Sequence, residues 1–153
     1  MKTSLSGLFC LVTTAALAQN PPAAARCTLK PLVPHGSSVI AGTATINLGD
    51  ADESTAPTAW QGPLKAGTCT FDIGIIEQPM ALTPVQSVYV TTYSGSMRTV
   101  TLLDLNKCSV RWKSAPFVGK VALMNSALRL GQKRIALNDQ CLPASDRSGN
   151  KHD

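Results

Sequence analysis

Five cysteines, and the places where they fall, constrain this 153-residue chain more than any other feature. Cys10 lies in an apolar run, Leu5 to Leu17, that follows a short positive start at Met1-Lys2 and closes in Ala16-Leu17-Ala18. That pattern is a secretory signal peptide with a small-x-small cleavage site, and it is too short to span a bilayer. Cleavage after Ala18 discards Cys10 and leaves Cys27, Cys69, Cys108 and Cys141. An even count in an exported chain predicts two disulfides. Nearest-neighbour pairing, Cys27–Cys69 and Cys108–Cys141, would staple each half separately, although four cysteines permit three pairings. No later stretch reaches the ~18 consecutive apolar residues of a transmembrane helix, so no membrane anchor is expected. The chain reads as secreted, either periplasmic or extracellular.

The expected organisation is a signal peptide over 1–18 and a disordered, proline- and alanine-rich leader over 19–26. One disulfide-stabilised β-rich domain follows over 27–143, then a polar disordered tail over 144–153. Charged residues make up only 15% of the chain while threonine, serine, glycine and proline abound, a mixture that suits short strands and turns. Six aromatics follow the leader, namely Trp60, Phe71, Tyr89, Tyr93, Trp112 and Phe117, so the core must rest on aliphatic side chains and cross-links. Charge is unevenly placed. From Gln19 to Met97 three bases face five acids, whereas from Arg98 onward ten bases face four acids. A basic second half can steer an acidic partner.

Ser38 to Leu48 is rich in β-branched residues and predicts one strand, kinked at Gly42. Asp50 to Ala66 carries Asp, Glu, Ser, Pro and Gly and predicts a long loop. Thr68 to Ile76 alternates, with Cys69, Phe71, Ile73 and Ile75 on one face, as a half-buried strand should. Pro79 and Pro84 break the pattern over Glu77 to Pro84. Val85 to Tyr93 and Met97 to Asp104 flank Ser94-Gly95-Ser96 and predict a hairpin. Cys108, Val110 and Trp112 alternate with Ser109, Arg111 and Lys113, which predicts a strand with a buried cysteine face and a basic outer face.

Phe117, Val121, Met124 and Leu128 recur at helical spacing between Pro116 and Gly131, so a helix is favoured over about 115–130. Asn125-Ser126 would instead turn a hairpin, and that alternative stays open. Lys133 to Asn138 predicts a strand that delivers Cys141. The fold class is therefore mainly β with one helix, a small disulfide-stapled barrel or sandwich.

The run V-Q-S-V-Y-V-T-T-Y-S-G-S-M-R-T-V-T-L-L-D (85–104), then Cys108, then V-A-L-M-N-S-A-L-R-L-G-Q-K-R-I-A-L-N-D-Q-C (121–141) resembles small secreted bacterial proteins with an OB-like fold. These are similar to the B subunits of subtilase-type and pertussis-type toxins. The shared pattern is a hairpin, a cysteine, and an apolar helix ending in Gly-x-basic (Gly131, Lys133) before a strand finishing in Cys141. The resemblance implies an OB-like second half, a surface that binds glycan or protein, and subunits that assemble as an oligomer. It covers under half of the chain after the leader and carries no site motif.

Catalysis near neutral pH usually recruits histidine, and this chain has only His35, in Pro34-His35-Gly36, and His152 near its end. The cysteines stand tens of residues apart, without the close pairing that zinc favours. Asp50-Ala51-Asp52-Glu53 lacks the glycine and glutamate of a calcium loop, with Thr55 and Gln61 at those positions. No catalytic residue, metal or cofactor is expected, and nothing points to nucleic acid. The chain reads as a non-enzymatic binding protein, of toxin-subunit or effector type, for a glycan or protein surface. The alternative is an inhibitor or immunity-type protein that inserts the loop Asp50 to Ala66 into an enzyme. Candidate contacts are Arg98, Arg111, Lys113, Lys133 and Arg134 on the basic half, with the rings of Tyr93 and Trp60.

Overall fold

Proline, glycine and asparagine interrupt the chain every few residues, and the outcome is strand and turn, with no helix among the described residues. The computed structural model describes residues 27–144. The expected signal peptide with Cys10, the leader 19–26 and the tail from 145 onward lie outside them. The first half holds β1 (Lys30–Leu32), β2 (Ser38–Ala41), β3 (Ala44–Asn47), β4 (Asp50–Ala51), β5 (Ala59–Gln61), β6 (Leu64–Ala66) and β7 (Cys69–Phe71). The centre is β8 (Ile75–Leu82), β9 (Ser87–Ser94) and β10 (Met97–Asp104). Then come β11 (Ser109–Lys113), β12 (Phe117–Val118), β13 (Val121–Met124), β14 (Ala127–Leu130) and β15 (Lys133–Ala136).

Three antiparallel sheets form, and none closes on itself as a barrel would. A sandwich-like stack fits them. The largest runs β11-β10-β9-β8-β5-β4, with β1 end to end with β5 along β8, and β12 end to end with β11 along β10. Ser114 bridges the gap between β11 and β12. Its N–H donates to the Val100 carbonyl at 2.9 Å, and its hydroxyl accepts the Val100 N–H at 3.0 Å. The second sheet is β2-β3-β6-β7 and the third is β13-β14-β15.

Alternation along β9 and β10 explains the stacking. Val88, Val90 and Leu103 point to a core shared with Val39, Ile46 and Leu64 of the second sheet. Tyr89, Val100 and Leu102 point the other way, to a core shared with Leu128 and Leu130 of the third. The central strands are therefore buried on both faces, which accounts for their nearly unbroken runs of β-branched and apolar residues.

Several expectations are corrected. Residues 117–130 are strands β12, β13 and β14, because Asn125-Ser126 makes the β13–β14 turn, with Ser126 at φ 60°. The strand kinked at Gly42 is a hairpin, since a two-residue turn opened by Gly42 at φ 65° sets Ala41 opposite Ala44. The loop Asp50 to Ala66 contains three strands and shrinks to the stretch between β4 and β5, pinned by Asp52. That carboxylate accepts the Thr58 hydroxyl at 2.7 Å, the Thr58 N–H and the Glu53 N–H. The Thr58 hydroxyl above all, with neighbouring backbone groups, holds the Asp52 pKa down at about 2. The break at Pro79 is a bulge inside β8 rather than an end.

The disulfides are Cys27–Cys141 and Cys69–Cys108, so the pairing Cys27–Cys69 with Cys108–Cys141 is overturned. Each bridge crosses between the halves instead of stapling one. Cys108 is exposed in the turn before β11, with φ 49°, rather than buried on a strand face. Two disulfides are compatible with an oxidising compartment, extracellular or periplasmic. No helix among the described residues is long and apolar enough to cross a membrane.

Tyr89 knots the second core to its bridge. The ring is fully buried, and its hydroxyl donates to the Cys141 carbonyl at 2.6 Å. Burial pushes the phenol well above its ordinary pKa of 10, against a smaller opposing pull from Arg111. A folded-state pKa above the unfolded one means that this contribution to stability is complete below pH 10 and is lost as pH rises beyond it. Tyr89→Phe is expected to cost about 1–3 kcal/mol at neutral pH. It should also flatten the fall in stability that denaturant titrations of the wild type show between about pH 9 and 12. An unaltered alkaline slope in the variant would contradict this account.

Candidate functional site

Two segments on either side of the β13–β14 hairpin meet at one edge of the stack. The β11–β12 segment supplies Trp112, Lys113 and Phe117, and β15 with the stretch after it supplies Lys133, Ile135 and Pro143. Together with Leu130 and the 114–116 linker they enclose a cleft of about 540 Å³, mostly apolar and open to solvent. Trp112 is held from beneath by Tyr89, whose ring meets it edge-on at 6.4 Å and 74°. Phe117 is placed by the pairing of β12 with Met97 and Arg98 of β10. Both rings are half-buried, with a packed side and a side toward the cleft.

A bulge sets this geometry. Leu102 pairs with Trp112 and the next residue, Leu103, pairs with Val110, so Arg111 is the extra residue on β11. The alternation expected for Cys108, Val110 and Trp112 is therefore broken. Val110 is 52% exposed while Trp112 packs against the second core. Arg111 turns inward far enough for Nη1 to donate to the Ser87 hydroxyl at 3.3 Å.

Of the sequence candidates, Lys113 and Lys133 are brought together at the cleft. Arg98 is committed elsewhere, with its guanidinium forked onto the Glu77 carboxylate. Arg134 lies across from Arg129 on the β14–β15 ladder. Tyr93 is half-exposed beside Asp50, Asp52, Gln61 and Ile75 in a separate shallow cleft of about 220 Å³. Trp60 is corrected as an exposed contact. It is 1% exposed, and its indole N–H donates to the Gly36 carbonyl at 2.8 Å.

Sequence reasoning missed Phe117 and Ile135 as walls of the cleft, because a helical stripe absorbed the first and a plain strand the second. It also passed over a stronger charge signal. Between Asp104 and Asp139 the chain carries seven bases and no acid.

The cleft borders an open sheet edge. Among the described residues β11 pairs on one side only, with β10, and Lys113 and Trp112 carry that edge to the cleft. The outer edge of β15 instead receives Ala144, whose N–H donates to the Ala136 carbonyl at 2.8 Å. His35 is exposed in a turn, and no group of three or more metal-ligating side chains gathers among the described residues. The class defined is an all-β, two-disulfide domain with a basic, aromatic-walled cleft beside an unpaired strand. Compared with protein families, with characterised proteins and with solved structures, the chain matches none.

Proposed function

We propose that this is an exported, non-enzymatic binding protein that captures an extended, acidic segment of a protein partner. The segment would add to the free edge of β11 and seat one apolar side chain in the Trp112–Phe117 cleft. The observation that carries the reading is the coincidence of an unpaired strand edge, an apolar pocket beside it and lysines at its rim. Strand addition draws affinity from main-chain hydrogen bonds and specificity from pockets for alternate side chains. Charge chooses the partner. Lysine on an edge strand opposes indiscriminate pairing and admits a strand that brings carboxylates. The reading shares with the toxin-B-subunit resemblance, and with the OB-like description of residues 85–141, a non-catalytic recognition surface. The inhibitor alternative would rest on a shorter insertion element, the exposed stretch between β4 and β5, since β4, β5 and β6 take up the rest of the expected loop apart from Gly62-Pro63.

Selection from a displayed library of random twelve-residue peptides tests it. Sequences alternating apolar and acidic residues are expected to be enriched. Their affinity should fall about fivefold for the Lys113→Glu variant, with an unchanged melting curve. Enrichment of no sequence, or equal enrichment on the variant, would overturn the proposal. So would a glycan array that gives binding where the peptides give none, or a dimer that buries β11.

A further inference from the structure

The outer face of the third sheet holds an arrangement that stability alone disfavours. Arg129 and Arg134 stand directly opposite each other on β14 and β15, both exposed. Like charges in that position repel and destabilise the ladder. Neither has a carboxylate partner among the described residues, where Arg98–Glu77 is the ion pair formed. Lys120 adds a third cation. With Arg129 and Gln132 it walls a cleft of about 540 Å³ whose floor includes Gly119 and Gly131.

That floor is bare backbone by necessity. A Cβ on Gly131 would stand 2.5 Å from the Val118 carbonyl oxygen, and one on Gly119 would stand 3.0 Å from the Gly131 Cα. Both glycines have positive φ, 60° and 116°. The two turns thus cross at a distance that only glycine permits. The cleft beside Lys120 and Arg129 stays unfilled as a result.

We propose that this face binds the ester sulfate or phosphate groups of an anionic polysaccharide. Directly paired residues on adjacent strands stand about 5 Å apart at Cα, so two guanidinium forks can converge on one tetrahedral oxyanion. Arginine suits that role better than lysine because its planar donors match such oxygens two at a time. Gln132 offers an amide to sugar hydroxyls. A nucleic acid fits less well, since no aromatic ring lines the cleft for a base to stack on. The site is independent of the β11 groove and stands or falls separately.

Dextran sulfate, phosphorylated dextran, plain dextran and a single-stranded DNA oligonucleotide serve as probes, with affinity read by titration calorimetry at physiological salt. The wild type is expected to bind at least one charged dextran and not the plain one, and the tighter ester names the group. The paired Arg129→Gln and Arg134→Gln variant should bind about tenfold or more weakly, and Lys107→Gln should match the wild type. Arg134→Glu supplies the sharper contrast. By turning repulsion into attraction across the ladder it should raise the melting temperature by about 2–4 °C while removing polysaccharide binding. Equal binding by wild type and Arg134→Glu, failure of the wild type to bind either charged dextran, or DNA bound as tightly as the dextrans would overturn the proposal.

Discussion

Replacing Cys27 and Cys141 by serine is expected to lower the unfolding free energy by about 5 kcal/mol, the largest single loss available to this chain. The bridge spans 114 residues, nearly the whole described length, so its removal frees the greatest amount of unfolded-chain entropy. The Cys69–Cys108 bridge closes only 39 residues, and the same model assigns it about 4 kcal/mol. At the lower end of a net stability of about 5–15 kcal/mol, either loss leaves little or no margin and both together exceed it. Contacts push the order the same way. Cys141 is fully buried and its carbonyl receives the Tyr89 hydroxyl, whereas Cys108 is exposed in a turn. Urea titrations of the two double-serine variants check the ranking, and an unchanged melting curve in reductant would refute the premise. A larger loss for the shorter bridge would show that local strand packing outweighs loop closure.

What the sequence revealed of this fold followed from signals that act over a few residues. The β9–β10 hairpin was legible because Ser94-Gly95-Ser96 punctuates two β-branched runs, and the structure pairs Met97 with Ser94 across that turn. The region after Pro116 misled because steps of four, three and four fit one helical stripe. The same residues also contain Val121 and Leu123, then Leu128 and Leu130, alternating on either side of Asn125-Ser126. A turn of two residues outweighed a stripe of four. Disulfide pairing was not legible at all. It depends on β1 lying against β8 while Cys141, after β15, folds onto the same core as Cys27, and no local pattern encodes that. The cleft was half legible. Lys113 and Lys133 stood out as cations, but their meeting required the bulge at Arg111 and the third sheet, which no local period announces.

Trp60→Ala is expected to cost about 4 kcal/mol, close to the loss of a disulfide, while Trp60→Phe should leave recognition of acidic peptides untouched. The indole is among the largest fully buried side chains and sits in the first core. Its removal forfeits both transfer free energy and packing around the cavity left behind. It also leaves the Gly36 carbonyl, which accepts the indole N–H, without that donor. Phenylalanine fills most of the space without supplying the hydrogen bond, so it should cost only about 1–2 kcal/mol. The informative comparison is crossed. Trp60→Phe should lower the melting temperature while keeping peptide affinity, whereas Lys113→Glu should lower affinity while keeping the melting temperature. Calorimetric melting alongside fluorescence titration of one enriched peptide measures both axes. Were Trp60→Phe to weaken the peptide as much as Lys113→Glu does, the partner would be touching the first core's edge. The β11 cleft would then not be where it binds.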